Sequence, residues 1–298
     1  MDKTLIIGGA SNYDWSDLQY WVNSIKATSF KGDITIVATN IDTETIDKLS
    51  NMGVKVSVYG QKEGGRYVSN SSVAPHVERF FWIWNHLKDF GGNYEHVVVT
   101  DTRDVIFQED PTNLLTELGK HRPLIASSEG LLYKDEPWGL QNTQQTFGPF
   151  FSKTLMEDKL ICNVGVIGGA TSAVRDMLLM IFQMSLGRPI PIVDQAVYNF
   201  LLNVVPYTHM TFRLNNSDAW AVQLGTTKYA IEAGAGDIGF KVSQNPAAMD
   251  EYLNDYKDVQ PEIRGHEVYN PNGEKYCIVH QWDRIPTLMT EVVKHYGS

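Results

Sequence analysis

The sequence is poor in cysteine and has no long apolar run. Only two cysteines, Cys162 and Cys277, occur among its 298 residues. Two cysteines exclude a zinc site with C-x-x-C spacing and allow at most one disulfide, which nothing suggests. A reduced, cytoplasmic setting is therefore expected. The longest apolar runs, such as residues 177–182, are much shorter than the ~20 residues of a membrane-spanning helix, so we expect no transmembrane segment.

Positive charge is also in short supply. The chain has 25 Lys and Arg against 35 Asp and Glu, which gives a formal net charge of −10. A general nucleic-acid binder needs a basic field, so nucleic acid is not an expected partner. The negative net charge does not exclude binding of a small anionic ligand, because one local site can be positive on an acidic protein. The first ten residues carry no cleavage-site pattern, so no secretory signal is expected.

Several motifs of nucleotide and hydrolase chemistry are missing. The chain has no G-x-x-x-x-G-K-[ST] and no G-x-S-x-G, which disfavours a phosphate-loop kinase and a serine hydrolase. Gly8 and Gly9 follow the first apolar run without forming G-x-G-x-x-G. A dinucleotide-binding fold is therefore poorly supported.

Apolar strands alternate with helical patterns in the first third of the chain. Strands are predicted at residues 4–7, 33–38, 54–59 and 96–100, with helices around 18–25, 45–51 and 77–87. This order implies right-handed crossovers and a largely parallel sheet. Ligands of such sheets bind outside the carboxyl ends of the strands. The loops after those strands are where chemistry is expected.

The rest of the chain is less regular. Further strands are predicted at residues 124–126, 164–167 and 276–279, and helices at 173–186, 194–204 and within 246–260. Residues 130–151 are rich in Gly and Pro and are predicted to form a loop that contains Trp138. No repeat or linker-like break occurs, so one mixed α/β domain over 1–298 is the simplest interpretation.

The strand at 96–100 runs straight into two acids. If the chain turns after Thr100, Asp101 and Asp104 can converge on one cation. Carboxylate oxygens suit Mg²⁺ or Mn²⁺, and such a cation neutralises a diphosphate and helps it leave. The alternative is structural: Asp104 caps a turn, and Arg103 pairs with an acid nearby.

The segment VVVTDTRDVIFQEDP, residues 97–111, resembles the metal-binding segment of nucleotide-sugar glycosyltransferases with the GT-A fold. It departs from a plain D-x-D, because Arg103 stands where the second acid would be. Similar D-x-R-D-V-x-F-Q stretches occur in bacterial and viral glycosyltransferases. The resemblance implies a single GT-A-like domain, with a Rossmann-like, mostly parallel sheet flanked by helices. Residues 1–110 would form the nucleotide-binding half, and 111–298 a less regular half for sugar and acceptor.

Three later segments resemble the same family. Asn163 and Gly165 match an N-x-G-x-x-x-G stretch that lines the sugar pocket. Asp194 and Gln195 match a D-Q element whose acid orients the sugar or deprotonates an acceptor hydroxyl; the alternative for Asp194 is a helix N-cap. His280 matches a histidine that completes the metal site with Asp101 and Asp104; its alternative is a structural hydrogen bonder. Trp138 is an aromatic candidate for stacking on a sugar.

The resemblance also implies a donor site. The base and ribose would lie against the loop after the first strand. Arg79, on the helix that precedes the strand at 96–100, would reach a phosphate. The alternative for Arg79 is a surface ion pair. The donor-binding residues expected on this basis are Gly9, Ala10, Asn12, Tyr59, Arg79, Asp101, Thr102, Arg103, Asn163 and Gly165.

These features together favour a glycosyltransferase that requires Mn²⁺ or Mg²⁺. It would move a sugar from a nucleoside-diphosphate donor, with UDP favoured, to a hydroxyl of a glycan or glycoconjugate acceptor. One alternative is a non-catalytic nucleotide-sugar or carbohydrate-binding module, which Arg103 would fit. The other is a sugar nucleotidyltransferase, which the lack of a basic residue in the loop after the first strand disfavours. Retaining and inverting stereochemistry both stay open.

Overall fold

The computed structural model describes residues 3–234, 245–247, 250–251 and 260–297. Its strands are β1 Thr4–Ser11, β2 Asp33–Thr39, β3 Ile41–Asp42, β4 Lys55–Val58, β5 Gln61–Glu63, β6 Arg66–Val68, β7 His96–Thr100, β8 Val105–Phe107, β9 Leu124–Leu132, β10 Leu160–Ala170, β11 Thr211–Leu214, β12 Ala221–Gln223, β13 Glu262–Arg264, β14 Glu267–Tyr269 and β15 Ile278–His280. Its helices are α1 Trp15–Ala27, α2 Thr43–Asn51, α3 Pro75–Phe90, α4 Thr112–Gly119, α5 Pro137–Phe147, α6 Pro149–Phe151, α7 Thr171–Ser185, α8 Asp194–Leu202, α9 Tyr207–Met210, α10 Lys228–Glu232 and α11 Pro286–Tyr296.

A seven-stranded, mostly parallel sheet flanked by helices forms the centre of the molecule. Its strand order is β11-β9-β10-β7-β1-β2-β4. Strands β4, β2, β1 and β7 run parallel, whereas β10 is antiparallel to both β7 and β9. The predicted α/β class and largely parallel sheet are therefore confirmed. The carboxyl ends of β1, β2 and β7 meet at one edge, which is where the alternating pattern led us to expect the site.

Alternate residues of the strands feed two separate cores, because successive side chains of a strand point to opposite faces. Ile6 and Val98 pack with α1 and α2 on one face. Ile7 and Val99 pack with α3, α7 and α8 on the other. The sheet is thus buried on both sides, as the continuous apolar strands predict.

A small second sheet lies next to the carboxyl end of β7. Strand β15 pairs antiparallel with β8 and parallel with β12. This sheet and α11 share a third core that includes Ile106, Val279 and Leu288. Because β8 follows β7 by only four residues, the pairing brings the end of β15 beside the turn after β7.

The prediction of a loop over residues 130–151 was wrong. The segment holds the end of β9, a 3₁₀ turn at Tyr133–Asp135, and helices α5 and α6. Pro137 occupies the first turn of α5, where a missing N–H costs nothing, and the Glu136 carboxylate accepts hydrogen bonds from the Trp138 and Gly139 amides. Proline therefore starts a helix here instead of breaking one.

Three further findings concern the helix predicted within 246–260, the two cysteines and membrane-spanning helices. A helix is predicted within 246–260 from Met249, Tyr252, Leu253 and Tyr256, and these four residues lie outside the described ranges. Cys162 and Cys277 are both buried and free. Within the described ranges, no helix combines the length and the apolar character that crossing a membrane requires.

Candidate functional site

An open cleft of about 460 Å³ lies at the carboxyl end of the central strands. Loops and strand ends that are far apart in sequence meet there. Of the residues singled out in the sequence, the cleft is lined by Gly9, Arg79, Asp101, Thr102, Arg103, Asp104, Trp138, Asn163, Gly165, Asp194, Gln195 and His280. The structure therefore brings most of the predicted site together.

The turn after β7 is held in place by three hydrogen bonds. The Asp101 amide donates to the Gly165 carbonyl at 2.9 Å, and the Thr102 hydroxyl donates to the Gly9 carbonyl at 3.0 Å. The Trp21 indole N–H donates to the Thr100 hydroxyl at 2.9 Å. These contacts tie the turn to β10, β1 and α1, so the two acids leave the sheet in a fixed direction.

His280 completes a cluster with the two acids. In the pairing of β15 with β8, His280 lies opposite Val105, which is the residue that follows Asp104. Its Nε2 lies 3.5 Å from Asp104 Oδ1 and 3.6 Å from Asp101 Oδ2. Its Nδ1 lies 2.6 Å from Gln223 Oε1 on β12. One ligand atom from each of Asp101, Asp104 and His280 lies within 4.8 Å of the other two.

The charges of this cluster depend on one another. Burial disfavours the charged form of His280, but the facing Asp104 outweighs it and raises the pKa of the ring. Burial likewise works against the Asp104 carboxylate, but His280 and then Arg103 lower its pKa to about 2. Two carboxylates thus converge on the Nε2 side of one imidazole. The donor set of two carboxylate oxygens and one imidazole nitrogen suits a divalent cation such as Mn²⁺ at that position.

Arg79 connects the cluster to the opposite wall. Its guanidinium pairs with Asp101 and, at 3.3 Å, with Asp194. The arginine side chain is 18% exposed and the Asp194 side chain 7%, so this is not the surface ion pair offered as its alternative. Burial raises the pKa of Asp194, although Arg79 opposes the shift.

Asp194 is not the N-cap of α8. The capping position belongs to Val193, whose side chain makes no capping hydrogen bond, and Asp194 is the first helical residue. Its side chain faces Arg79 instead. The capping alternative was therefore wrong, and the acid is available to the cleft.

Asn163 and Gln195 are held by a buried acid that the sequence did not indicate. Both amides donate to Glu129 Oε1, at 2.8 Å from Asn163 Nδ2 and 3.1 Å from Gln195 Nε2. Burial and then Glu136 raise the pKa of Glu129 to about 7. The β10–β9 pairing slips between Asn163 and Ile167, and this irregularity includes Gly165, which lines the cleft.

Arg103 lies at the outer rim of the cleft. Its side chain is 45% exposed, 3.3 Å from Asp283 and 4.0 Å from Asp104. Arg284, 42% exposed and 3.6 Å from Asp283, lines the same rim. Both arginines are accessible to an anionic ligand.

A smaller cavity of about 170 Å³ adjoins the cleft. The two share Gly9, Tyr13, His76 and Arg79, and the cavity is also lined by Ala10, Ser11, Val37, Thr39, Pro75, Glu78 and Trp82. Two expected donor residues line neither space. Asn12 occupies the left-handed region at φ 60°, and Tyr59 is stacked on Trp82 with ring centroids 4.3 Å apart. Tyr59 thus supports the cavity wall without facing it.

Sequence reasoning missed several residues of the site. Tyr13 follows the expected loop, and His76 lies one turn before Arg79 on α3, so position alone could have suggested both. Glu129 and Gln223 carry no local signal, because strand pairing alone brings them to Asn163 and His280.

No family model and no curated protein matches the sequence. Among solved structures it is similar to the apo form of WbbM, a bifunctional glycosyltransferase, with a TM-score of 0.59 and 13% identity over all of this chain and 50% of that one. The glycosyltransferase GlyE of Streptococcus pneumoniae TIGR4 gives a TM-score of 0.49 and 12% identity over 94% of this chain and 55% of that one. The chain thus spans about half the length of these proteins, and the similarity to WbbM shows a fold that a glycosyltransferase also uses.

Proposed function

We propose that the chain is a metal-dependent glycosyltransferase of GT-A type, which moves a sugar from a nucleoside-diphosphate donor to a hydroxyl of a carbohydrate acceptor. The observation that carries this proposal is the cluster of Asp101, Asp104 and His280 at the carboxyl end of β7, in one cleft with Arg79 and Asp194. The fold shared with WbbM supports it. UDP-sugars are the first donors to test, as the sequence resemblance suggests.

Asp101, Asp104 and His280 would hold Mn²⁺ or Mg²⁺. A divalent cation at this position supplies positive charge that stabilises a departing diphosphate. Gln223 contacts Nδ1, the ring nitrogen of His280 that faces away from the acids, and so orients the imidazole as metal-bound histidines require. Gly165 lies against the cluster, where a side chain would collide with the His280 ring.

Arg79 would bind the diphosphate between the metal cluster and the nucleoside. It lines both the cleft and the smaller cavity, and two carboxylates fix its guanidinium. Such a group gives paired, charge-assisted hydrogen bonds to phosphate oxygens. The exposed Arg103 and Arg284 at the rim would add positive charge where the donor enters.

Asp194 and Gln195 would act at the sugar. Asp194 is buried on the wall opposite the cluster, and burial raises its pKa, which makes the carboxylate a stronger base. In an inverting reaction it would take the proton of the attacking hydroxyl. In a retaining reaction it would lie against the sugar face with Gln195, whose amide Glu129 holds in place.

Release of free nucleoside diphosphate from a panel of UDP-, GDP-, ADP- and CDP-sugars tests the proposal. Many glycosyltransferases slowly hydrolyse their own donors, so the assay starts without an acceptor. We expect release from one donor class with Mn²⁺ and none after EDTA treatment. Binding of a nucleotide without release, even with a mixture of glycan acceptors, would favour the non-catalytic module. If the chain neither binds a nucleotide nor releases one from any donor, the proposal is contradicted.

Asp194→Asn should lower turnover at least a hundredfold and leave UDP affinity within about threefold, because loss of general-base catalysis costs about 10²–10⁴ in rate. Single-turnover kinetics and calorimetry measure the two effects separately. The matched control is Asp158→Asn, on the exposed turn before β10, where the carboxylate pairs with Lys134. A large loss of UDP binding by Asp194→Asn would instead place this acid in the nucleotide site.

A further inference from the structure

Residues 186–193 form a strap that joins α7 to α8 beside the cleft. Pro189 and Pro191 stiffen this strap, because each proline ring fixes the φ angle of its residue. Ile192 lines the cleft, and Asp194 follows the strap as the first residue of α8. The position of the strap therefore decides where the Asp194 carboxylate lies.

Side chains of two other helices hold the strap by its carbonyl oxygens. Nε2 of His76, on α3, lies 2.8 Å from the Pro191 carbonyl oxygen. Because a carbonyl oxygen can only accept, Nε2 carries a proton and donates this hydrogen bond. Nδ2 of Asn142, on α5, donates to the Ile192 carbonyl oxygen at 2.6 Å. The two hydrogen bonds thus fix consecutive carbonyl groups shortly before Asp194.

The N-terminal part of α3 also contacts Asp194 directly. Arg79 follows His76 by three residues, a spacing that places the two side chains next to each other on a helix. The Arg79 guanidinium lies 3.3 Å from Asp194 Oδ2. Burial raises the pKa of Asp194, and Arg79 and then His76 oppose that rise. Helix α3 therefore holds the start of α8 at two points: the side chain of Asp194 and the backbone at Pro191.

We infer that His76 is a positioning residue, which holds the Pro191 carbonyl and so fixes the direction of the Asp194 carboxylate in the cleft. This inference rests on the proposed function, because it assumes that Asp194 acts at the sugar. The ion pair with Arg79 alone fixes one point and leaves the strap free to pivot about it. The hydrogen bond at Pro191 removes that freedom. His76 itself leaves the reacting atoms untouched.

Single-turnover donor hydrolysis by two variants tests the inference. The amide of His76→Asn takes the place of Nδ1 and does not reach Pro191, so turnover should fall about ten- to a hundredfold, as a misplaced catalytic group predicts. Its UDP affinity, measured by calorimetry, should stay within about threefold of wild type, which also shows that the variant is folded. His76→Gln places an amide N–H near the position of Nε2 and removes the charge of the ring. It should recover turnover to within about threefold of wild type.

A double variant shows whether His76 acts through Asp194. Adding His76→Asn to Asp194→Asn should change turnover by less than about threefold, because a positioning residue has no effect once the group that it positions is lost. Residues that act independently would multiply their losses instead. His209→Asn is the matched control, since His209 is exposed on the short helix α9; it should behave as wild type.

Four results would overturn the inference and leave the proposed function in place. His76→Asn retains wild-type turnover, His76→Gln fails to recover it, or the losses multiply in the double variant. The fourth is a fall in UDP affinity as large as the fall in turnover, because His76 would then contact the donor itself. If the wild-type chain neither binds a nucleotide nor releases one from any donor, the proposed function fails and the inference fails with it.

Discussion

Glu129 shows how one buried residue can set the geometry of a site that it does not line. Asn163 and Gln195 both donate to the same oxygen of its carboxyl group, Oε1. The other oxygen can therefore carry a proton without loss of either hydrogen bond. The raised pKa of about 7 follows from burial and from Glu136, so near neutral pH the group titrates inside the folded chain.

This titration predicts a dependence of stability on pH. The folded pKa of about 7 lies above the ordinary carboxyl value, so stability is fully present below about pH 4.5 and falls as pH rises towards 7. By linkage, the loss in the free energy of unfolding approaches roughly 3 kcal/mol above pH 7. Glu129→Gln keeps Oε1 and cannot ionise, so it should match wild type at pH 5 and exceed it at pH 8. Urea unfolding at both values measures this, and parallel pH profiles would contradict it.

Gly165 is the second residue on which the site depends. A Cβ there would overlap the His280 ring and lie 2.9 Å from both Asn163 Oδ1 and Asp101 Oδ2. Gly165→Ala should therefore displace the cluster and lower donor turnover about a hundredfold or more, as small misplacements of catalytic groups do. Gly92→Ala is the matched control, because nothing lies within 4 Å of a Cβ there. Full activity of Gly165→Ala with an unchanged metal requirement would contradict this account.

At the scale of elements, the three-stranded sheet of β12, β15 and β8 assembles the metal cluster. In its register Gln223 pairs with His280 and His280 pairs with Val105. Residues separated by more than fifty positions thus come into contact through three short strands. The sheet aims one imidazole nitrogen at the acids and the other at Gln223.

Removing the support from β12 should weaken metal binding and leave the chemistry intact. Gln223→Leu should raise the Mn²⁺ concentration for half-maximal activity about ten- to a hundredfold, with turnover at saturating metal nearly unchanged, because hydrogen-bond partners of metal-bound histidines have effects of this size. A metal titration of donor release checks it. A loss of turnover that saturating Mn²⁺ does not restore would instead assign Gln223 a direct role.

The elements that the sequence predicted are those with strong local patterns. Apolar runs predicted β1, β2 and β7, because buried parallel strands are apolar throughout. The Gly- and Pro-rich stretch of α5 was misread, since the capping acid Glu136 outweighs those residues there. Asp101 and Asp104 were predicted because they directly follow a buried strand. Glu129 and Gln223 were not, because their positions depend on pairing between distant strands.

At the scale of the whole molecule, a chain of net charge −10 concentrates alternating charges in one cleft. The carboxylates of Asp101 and Asp104 face His280, while Arg79 and Arg103 flank them. A cation in the cluster would reverse the local balance and make the cleft attractive to a diphosphate. Metal and nucleotide should therefore bind cooperatively.

The most direct measurement is a Mn²⁺ titration followed by electron paramagnetic resonance, with and without UDP, on the wild-type chain and on Asp104→Asn. We predict one Mn²⁺ per chain, tighter binding when UDP is present, and binding weakened at least about tenfold in Asp104→Asn. Two results would contradict the assignment of Asp101, Asp104 and His280 as a metal site. One is that the wild-type chain binds no Mn²⁺ either with or without UDP. The other is that the wild-type chain and Asp104→Asn bind Mn²⁺ equally.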